Sequence, residues 1–172
     1  MVKVLFVCVG NTCRSQLAEA FARRLGAGVL DVHSAGTAPK EAVDPRAAAV
    51  LEERGYDVAE ATPKSVDAVP PGPYEWMIRM GCGDVLLVPA LHREDWDYPA
   101  PSQLSDVGFE ALCLDLEDRV RNLVARAKAW ADATGFPLDT GDHASVDTSS
   151  LALTLPAKPS PSHDAEASRL PE

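Results

Sequence analysis

Between Val2 and Val9 the chain places Val, Leu and Phe on both faces of any extended segment, with Lys3 as the lone charge. A strand covered on both sides satisfies such a run, and strands of that kind belong to parallel sheets with helices laid over them. Gly10-Asn11 breaks the run. From Cys13 a helical period takes over, with Leu17, Ala18, Phe21 and Leu25 on one face and Gly26 as its stop. A strand that turns at once into a helix is half of a parallel crossover unit, which restricts the fold to α/β layers.

The rest of the chain repeats the alternation. Val29 to His33 reads as a second strand closed by Ser34-Ala35-Gly36-Thr37, and Asp44-Pro45 opens a helix that runs to Gly55. Residues 62 to 73 hold four prolines and exclude regular structure, after which Tyr74 to Met80 gives a third strand that stops at Gly81-Cys82-Gly83. Val85 to Val88 is either a fourth strand or a flap over the site. Residues 94 to 102 form a Pro-broken loop. A long helix follows from about Ser105 to Gly135, with Phe109, Leu112, Leu116, Val120, Leu123, Ala127 and Trp130 on one stripe. The prediction is one doubly wound α/β domain over residues 1–135, a parallel four-stranded sheet flanked by helices. Residues 136–172 form an acidic Ser/Pro-rich tail with too little apolar surface to offset ordering entropy, and we expect it to be disordered. Ligands of such domains bind at the carboxyl ends of strands, where Cys8 and Cys82 both fall.

Charge narrows the function. A formal net charge of -10 over 172 residues argues against nucleic acid or an anionic membrane as partner, since both need clustered Lys and Arg. No stretch approaches the roughly 18 apolar residues of a membrane span, and the apolar N-terminus lacks a small-residue cleavage site, so a cytoplasmic protein is expected. Four cysteines at irregular spacing do not make a disulfide scaffold and suit reduced thiols, and four scattered histidines offer no metal cluster. Neither a metal nor an organic cofactor is expected.

An anionic ligand must then be held by a local device, and residues 8 to 15 supply one. A glycine-containing turn feeding a helix N-terminus converges backbone N–H groups on one spot at the positive end of the helix dipole. Val9, Gly10, Asn11, Thr12, Cys13, Arg14 and Ser15 are therefore the candidate oxyanion-binding residues, with Arg14 returning its planar guanidinium to clamp two oxygens. Cys8 faces the central atom as nucleophile. The dipole and Arg14 favour its thiolate, and Asn11, Thr12 and Ser15 hold the loop and the sulfur by hydrogen bonds.

Val4-Leu5-Phe6-Val7-Cys8 through Arg14-Ser15-Gln16-Leu17-Ala18-Glu19-Ala20 resembles the phosphate-loop signature of the low-molecular-weight protein tyrosine phosphatase superfamily, with Gln16 where phosphatases usually have Pro. Met80-Gly81-Cys82-Gly83-Asp84 is similar to the arsenate reductases of that superfamily, and the likeness covers residues 1 to about 132. It implies that Cys8 attacks arsenate, that Arg14 binds its oxygens, and that Cys82 then attacks the Cys8–arsenic adduct to release arsenite and leave a Cys8–Cys82 disulfide. Thioredoxin or a low-molecular-weight thiol would restore the enzyme.

The chain departs from the pattern twice. Thioredoxin-coupled members carry a third cysteine where this chain has Leu86, Leu87 and Val88. Cys113 shares the apolar stripe of the last helix and is assigned to the core, and Cys13 is assigned to the loop. The general acid of the family is an Asp directly before Pro, whereas Ala100 precedes Pro101 here. Asp97 is the candidate substitute. Loss of a general acid costs a phosphatase about 10²- to 10⁴-fold, so the missing Asp tells against phosphoester hydrolysis as the main activity. Arsenate reduction is the expected function, with residual phosphatase activity. A low-molecular-weight tyrosine phosphatase or phosphomonoesterase, and an oxyanion-binding module without turnover, are the alternatives.

Overall fold

The computed structural model describes residues 1–59, 61–83 and 88–138. It contains strands β1 (Val2–Cys8), β2 (Leu30–Gly36), β3 (Tyr74–Arg79) and β4 (Ala90–Asp95) and helices α1 (Arg14–Leu25), α2 (Pro45–Glu53) and α3 (Asp106–Thr134). The sheet order is β2-β1-β3-β4 and every pairing is parallel. The chain therefore winds outward from β1 to β2, returns across the sheet to β3, and continues to β4, which is the doubly wound order expected from the sequence. Its reversal point lies between the carboxyl ends of β1 and β3.

Alternation along β1 builds two cores. Val2, Val4, Phe6 and Cys8 join a large apolar cluster with Leu17, Ala18 and Phe21 of α1, Leu51 of α2 and the stripe Phe109, Leu112, Cys113, Leu116, Val120, Leu123 and Ala127 of α3. Each fully buried Leu or Phe of this cluster contributes about 1.5–3 kcal/mol relative to an exposed one. Leu5 and Val7 point the other way, into a smaller core with Ala35, Val69, Tyr74, Met77 and Val88. That face is closed by the proline-rich segment, which makes one 3-10 turn at Val66–Ala68 and pairs with the sheet where Gly36 N donates to Lys64 O at 2.8 Å.

The helix ends follow the local chemistry. The Asp44 carboxylate accepts from Arg46 N at 2.9 Å with Pro45 in the first turn of α2, and Ser105 Oγ accepts from Gly108 N at 3.2 Å at the start of α3. Two strands differ from the sequence expectation. β2 continues through Ser34, Ala35 and Gly36, because its ladder with β1 runs on to the pair Cys8 with Gly36. The fourth strand is Ala90–Asp95, so Glu94 and Asp95 are sheet residues and the loop begins at Trp96. Its sequence, Ala-Leu-His-Arg-Glu-Asp, has no apolar alternation because the strand is an exposed edge, held by its ladder with β3 and by Glu94 accepting from Arg126 at 2.6 and 3.0 Å. Residues 85–87 of the proposed strand or flap lie outside the described residues, while Val88 is buried in the smaller core.

Phe136 and Leu138 pack on the large core, and the Met1 amino group donates to Pro137 O at 3.1 Å, so the described domain extends at least to residue 138. The expectation of a disordered tail concerns residues 139–172, which lie outside the described residues. Among the described residues no helix is long and apolar enough to cross a membrane.

Candidate active site

The loop from Cys8 to Arg14 has nearly every carbonyl engaged on its outer side. Thr37 N, Ala38 N, Lys40 N and Asp44 N donate to the carbonyls of Cys8, Val9, Gly10 and Thr12 at 2.8 to 3.0 Å, and Gln16 Nε2 donates to that of Asn11 at 3.0 Å. With the carbonyls turned outward, amide groups are left to face the sulfur: Asn11 N donates to Cys8 Sγ at 3.2 Å. Helix α1 starts with no side-chain cap on Cys13 and no acidic residue in its first turn, which leaves its positive end open to an anion.

A buried polar network stands behind the Cys8 sulfur. Asn11, Ser15 and Ser34 are fully buried, and Glu19 is 4% exposed. The two amide protons of Asn11 Nδ2 go to Ser15 Oγ and Ser34 Oγ, each at 2.9 Å. Ser15 Oγ lies 3.0 Å from Cys8 Sγ. Ser15 Oγ, which accepts from Asn11, is thus hydrogen-bonded to the same sulfur that receives Asn11 N. Ser34 in turn donates to Glu19 Oε2, whose carboxylate also pairs with Arg23 at 2.7 Å and Lys64 at 3.3 Å. Asn11 Oδ1 accepts from Lys64 N at 2.8 Å and from Gln16 Nε2 at 3.1 Å, and Gln16 reaches Thr62 O at 3.0 Å. A proline at position 16 would have none of these bonds.

Glu19 and Lys64 had no place among the candidate site residues read from sequence, and Gln16 stood there only as a departure from the phosphatase proline. Glu19 carried a signal, because it falls one helical turn after Ser15 among Leu17, Ala18 and Phe21, on a face that must be buried. Lys64 carried none, arriving from a proline-rich segment 45 residues along the chain from Glu19.

Arg14, at the first position of α1, spans the gap between the ends of β3 and β4. Its Nη1 donates to Tyr98 O at 3.0 Å, and a Cβ on Gly81 would lie 3.1 Å from the same nitrogen. Gly81 has φ 72°, a conformation that glycine adopts without strain, so the residue before Cys82 both makes the turn and leaves room for the guanidinium. Among the described residues no carboxylate pairs with Arg14, whose remaining N–H groups stay available to an anion.

The Cys82 thiol is half-buried after β3 and donates to Val7 O at 3.5 Å, one residue before Cys8. Both cysteines are free. Burial first, and then the nearby Cys8, push the Cys82 thiol above its ordinary value against the opposing Met80 backbone hydrogen bond and Arg79. Asp97 is exposed and lines an open cavity of about 290 Å³ with Cys82, Gly81, Gly83, Arg79 and Asp95, placing it on the Cys82 side of the site. Asp95 itself is paired to Arg79 at 2.6 Å. Ala100 precedes a 3-10 turn at Pro101–Gln103 and brings no carboxyl group.

Cys13 and Cys113 lie in the interior, 3% and 0% exposed, and burial above all holds their thiols protonated, pushed up to about 12 and about 11. A second cavity, of about 300 Å³, opens between α1 and the segment after α2, lined by Gln16, Arg23, Arg24, Tyr56 and Asp57 among others, with no cysteine in its wall. Among the described residues no three His, Cys, Asp or Glu side chains come together as a metal site.

Known proteins are similar to this chain. The family model of the low molecular weight phosphotyrosine protein phosphatases matches residues 3–131. The chain is 38% identical over 131 residues to the glutaredoxin arsenate reductase of Synechocystis sp., which covers 73% of this chain and 98% of that one. It superposes on a solved structure described as an arsenate reductase in the phosphate binding state with a TM-score of 0.66 and 37% identity, over 74% of this chain and 99% of that one. The thioredoxin-dependent arsenate reductase of Corynebacterium glutamicum matches with a TM-score of 0.63 and 29% identity, over 76% of this chain and 63% of that one. The chain belongs to the low molecular weight phosphotyrosine protein phosphatase family, on the branch that its arsenate reductase relatives occupy.

Proposed function

We propose that this protein is an arsenate reductase in which Cys8 is the nucleophile and Cys82 the resolving thiol. The observation that carries this reading is the placement of two free thiols at neighbouring strand ends: Cys8 Sγ at 3.2 Å from Asn11 N and 3.0 Å from Ser15 Oγ, and Cys82 Sγ at 3.5 Å from the carbonyl of Val7. The Cys8 thiolate attacks arsenic(V) and displaces hydroxide, while the amides of residues 9 to 15 and the Arg14 guanidinium take the remaining oxygens. Cys82 thiolate then attacks Cys8 Sγ. The S–S bond forms, the S–As bond breaks, and its electron pair stays on arsenic, which leaves as arsenite(III). Asp97 supplies a proton to the departing oxygen in place of the acid missing at Ala100.

The two electrons come from the two thiols, so a redox partner must restore them. Relatives are named for glutaredoxin and for thioredoxin, and either a redoxin or a small thiol opens the Cys8–Cys82 bond here. The enzyme needs no other cofactor. Its four cysteines suit a reducing compartment such as the cytoplasm. Slow hydrolysis of aryl phosphates is a side reaction of the same loop.

Arsenite release under a thiol reductant, followed by non-reducing peptide mass spectrometry after a single turnover, tests the reading. A Cys8–Cys82 link is expected, with turnover abolished in Cys8→Ser and multiple turnover lost in Cys82→Ser. A mixed disulfide on Cys8 with Cys82 still reduced would remove Cys82 from the mechanism.

A further inference from the structure

Arg14 is held from outside its own loop, by the turn after β4 that also carries Asp97. The carbonyl that receives Nη1 belongs to Tyr98, in the turn after β4. Trp96 seats one end of that turn, 5% exposed against Phe6 with ring centroids 5.8 Å apart. Arg46 of α2 seats the other, donating to Pro101 O at 2.6 Å and Leu104 O at 3.2 Å. Pro99 and Pro101 stiffen the backbone between them. The middle is fixed by Tyr98: its hydroxyl donates to Asp115 Oδ2 at 2.7 Å, Arg119 Nε donates to the same oxygen at 3.0 Å, and the Arg119 guanidinium lies 5.0 Å from the centre of the Tyr98 ring.

We propose that Tyr98 is a positioning residue for the oxyanion clamp, tying the Arg14 guanidinium through the Tyr98 carbonyl to Asp115 and Arg119 on helix α3. One N–H of Nη1 is spent on the carbonyl, which sets the plane of the group beside Gly81 and leaves Nε and Nη2 free for two anion oxygens. Guanidinium orientation is what makes a bidentate contact strong, so an anchor 84 residues from Arg14 acts on anion affinity without touching the anion. Burial, and then the Asp115 carboxylate, push the Tyr98 phenol above its ordinary value, so it remains a donor throughout the assay range. The proposal rests on the reading of Arg14 as the clamp.

The test is the affinity of the reduced full-length protein for inorganic phosphate, measured by calorimetry, together with kcat and KM for arsenate. Losing one hydrogen bond of this kind corresponds to an affinity change of roughly 3- to 10-fold. Tyr98→Phe and Asp115→Ala should each weaken phosphate by that factor and raise the KM for arsenate in parallel. Combined, they should be no worse than the stronger single variant, because they break one chain of contacts. In an Arg14→Lys background Tyr98→Phe should change phosphate affinity by less than about twofold. Unchanged phosphate affinity in Tyr98→Phe overturns the proposal, and so does an equal loss with and without Arg14, which would mark a general loosening of the site. A wild-type protein that binds phosphate but never reduces arsenate would overturn the function proposed above and leave these phosphate comparisons decisive. One that binds no phosphate would overturn the role of Arg14 and this proposal together.

Discussion

Asn11 sits at φ 50° with its side chain fully buried, and it joins the sulfur, two serines and the segment around Lys64 into one network. Asparagine tolerates the left-handed region better than most residues, and its amide also replaces the partners that a buried loop would otherwise leave unsatisfied. Asn11→Ala should therefore destabilise by about 2–4 kcal/mol in urea unfolding, combining backbone strain with lost buried hydrogen bonds. Asn11→Gly relieves the strain alone and should be about 1 kcal/mol milder; if it is no better than Ala, the backbone conformation contributes nothing. Cys82 makes a kinetic prediction. Its thiol is pushed up, chiefly by burial, so the thiolate that the proposed resolution step needs is a minor species at neutral pH. Single-turnover disulfide formation should accelerate by up to about tenfold per pH unit above neutrality, read by rapid alkylation and mass spectrometry. A rate flat between pH 7 and 9 would assign the slow step elsewhere. At this scale Cys8, Arg14 and Ser15 are legible because one loop carries them. Lys64 and Tyr98 are not, because their partners are distant in the chain, and Glu19 shows only its place on a buried face.

Among the elements, the close approach of β2 to the loop matters most for the chemistry. Cys8 pairs with Gly36 across the ladder, and a Cβ on Gly36 would lie 2.6 Å from Val9 O and 3.1 Å from Asn11 N. Gly36→Ala must push the loop off the strand end. We expect a loss of about 1–3 kcal/mol in stability together with a several-fold rise in the KM for arsenate. Unfolding in urea and steady-state kinetics check both halves, and an unchanged KM would show that the loop absorbs the displacement without losing its geometry. β1 was readable as an element since burial on both faces leaves an apolar run. β4 was not. As an exposed edge it is defined by its pairing with β3 and its link to Arg126, neither of which leaves a pattern in six residues of its own sequence.

For the whole molecule, buried thiols link stability to pH. Cys13 and Cys113 are pushed from 9.0 up to about 12 and about 11, so above pH 9 the folded chain keeps protons that the unfolded chain has released. The unfolded state then binds fewer protons, and stability must fall as pH rises from about 9 through these values. Urea midpoints in the presence of reductant should decline between pH 8 and 10, and Cys13→Ala should flatten the decline. A midpoint independent of pH over that range would place these thiols in contact with water in the folded state.

Sequence alone determined the α/β class, the loop after β1 and its thiol, and the second thiol after β3, because each of these rests on neighbouring residues and on periodicity. Only the tertiary structure decided what surrounds them. Parallel pairing brought the ends of β1 and β3 side by side and so the Cys82 thiol to the carbonyl of Val7. Packing of the proline-rich segment on β2 delivered Lys64 to Glu19, and the turn after β4 set the Tyr98 carbonyl on Arg14. Such contacts join residues 45 to 84 positions apart, where no local preference of the chain encodes the partner and only the closed fold brings the two together.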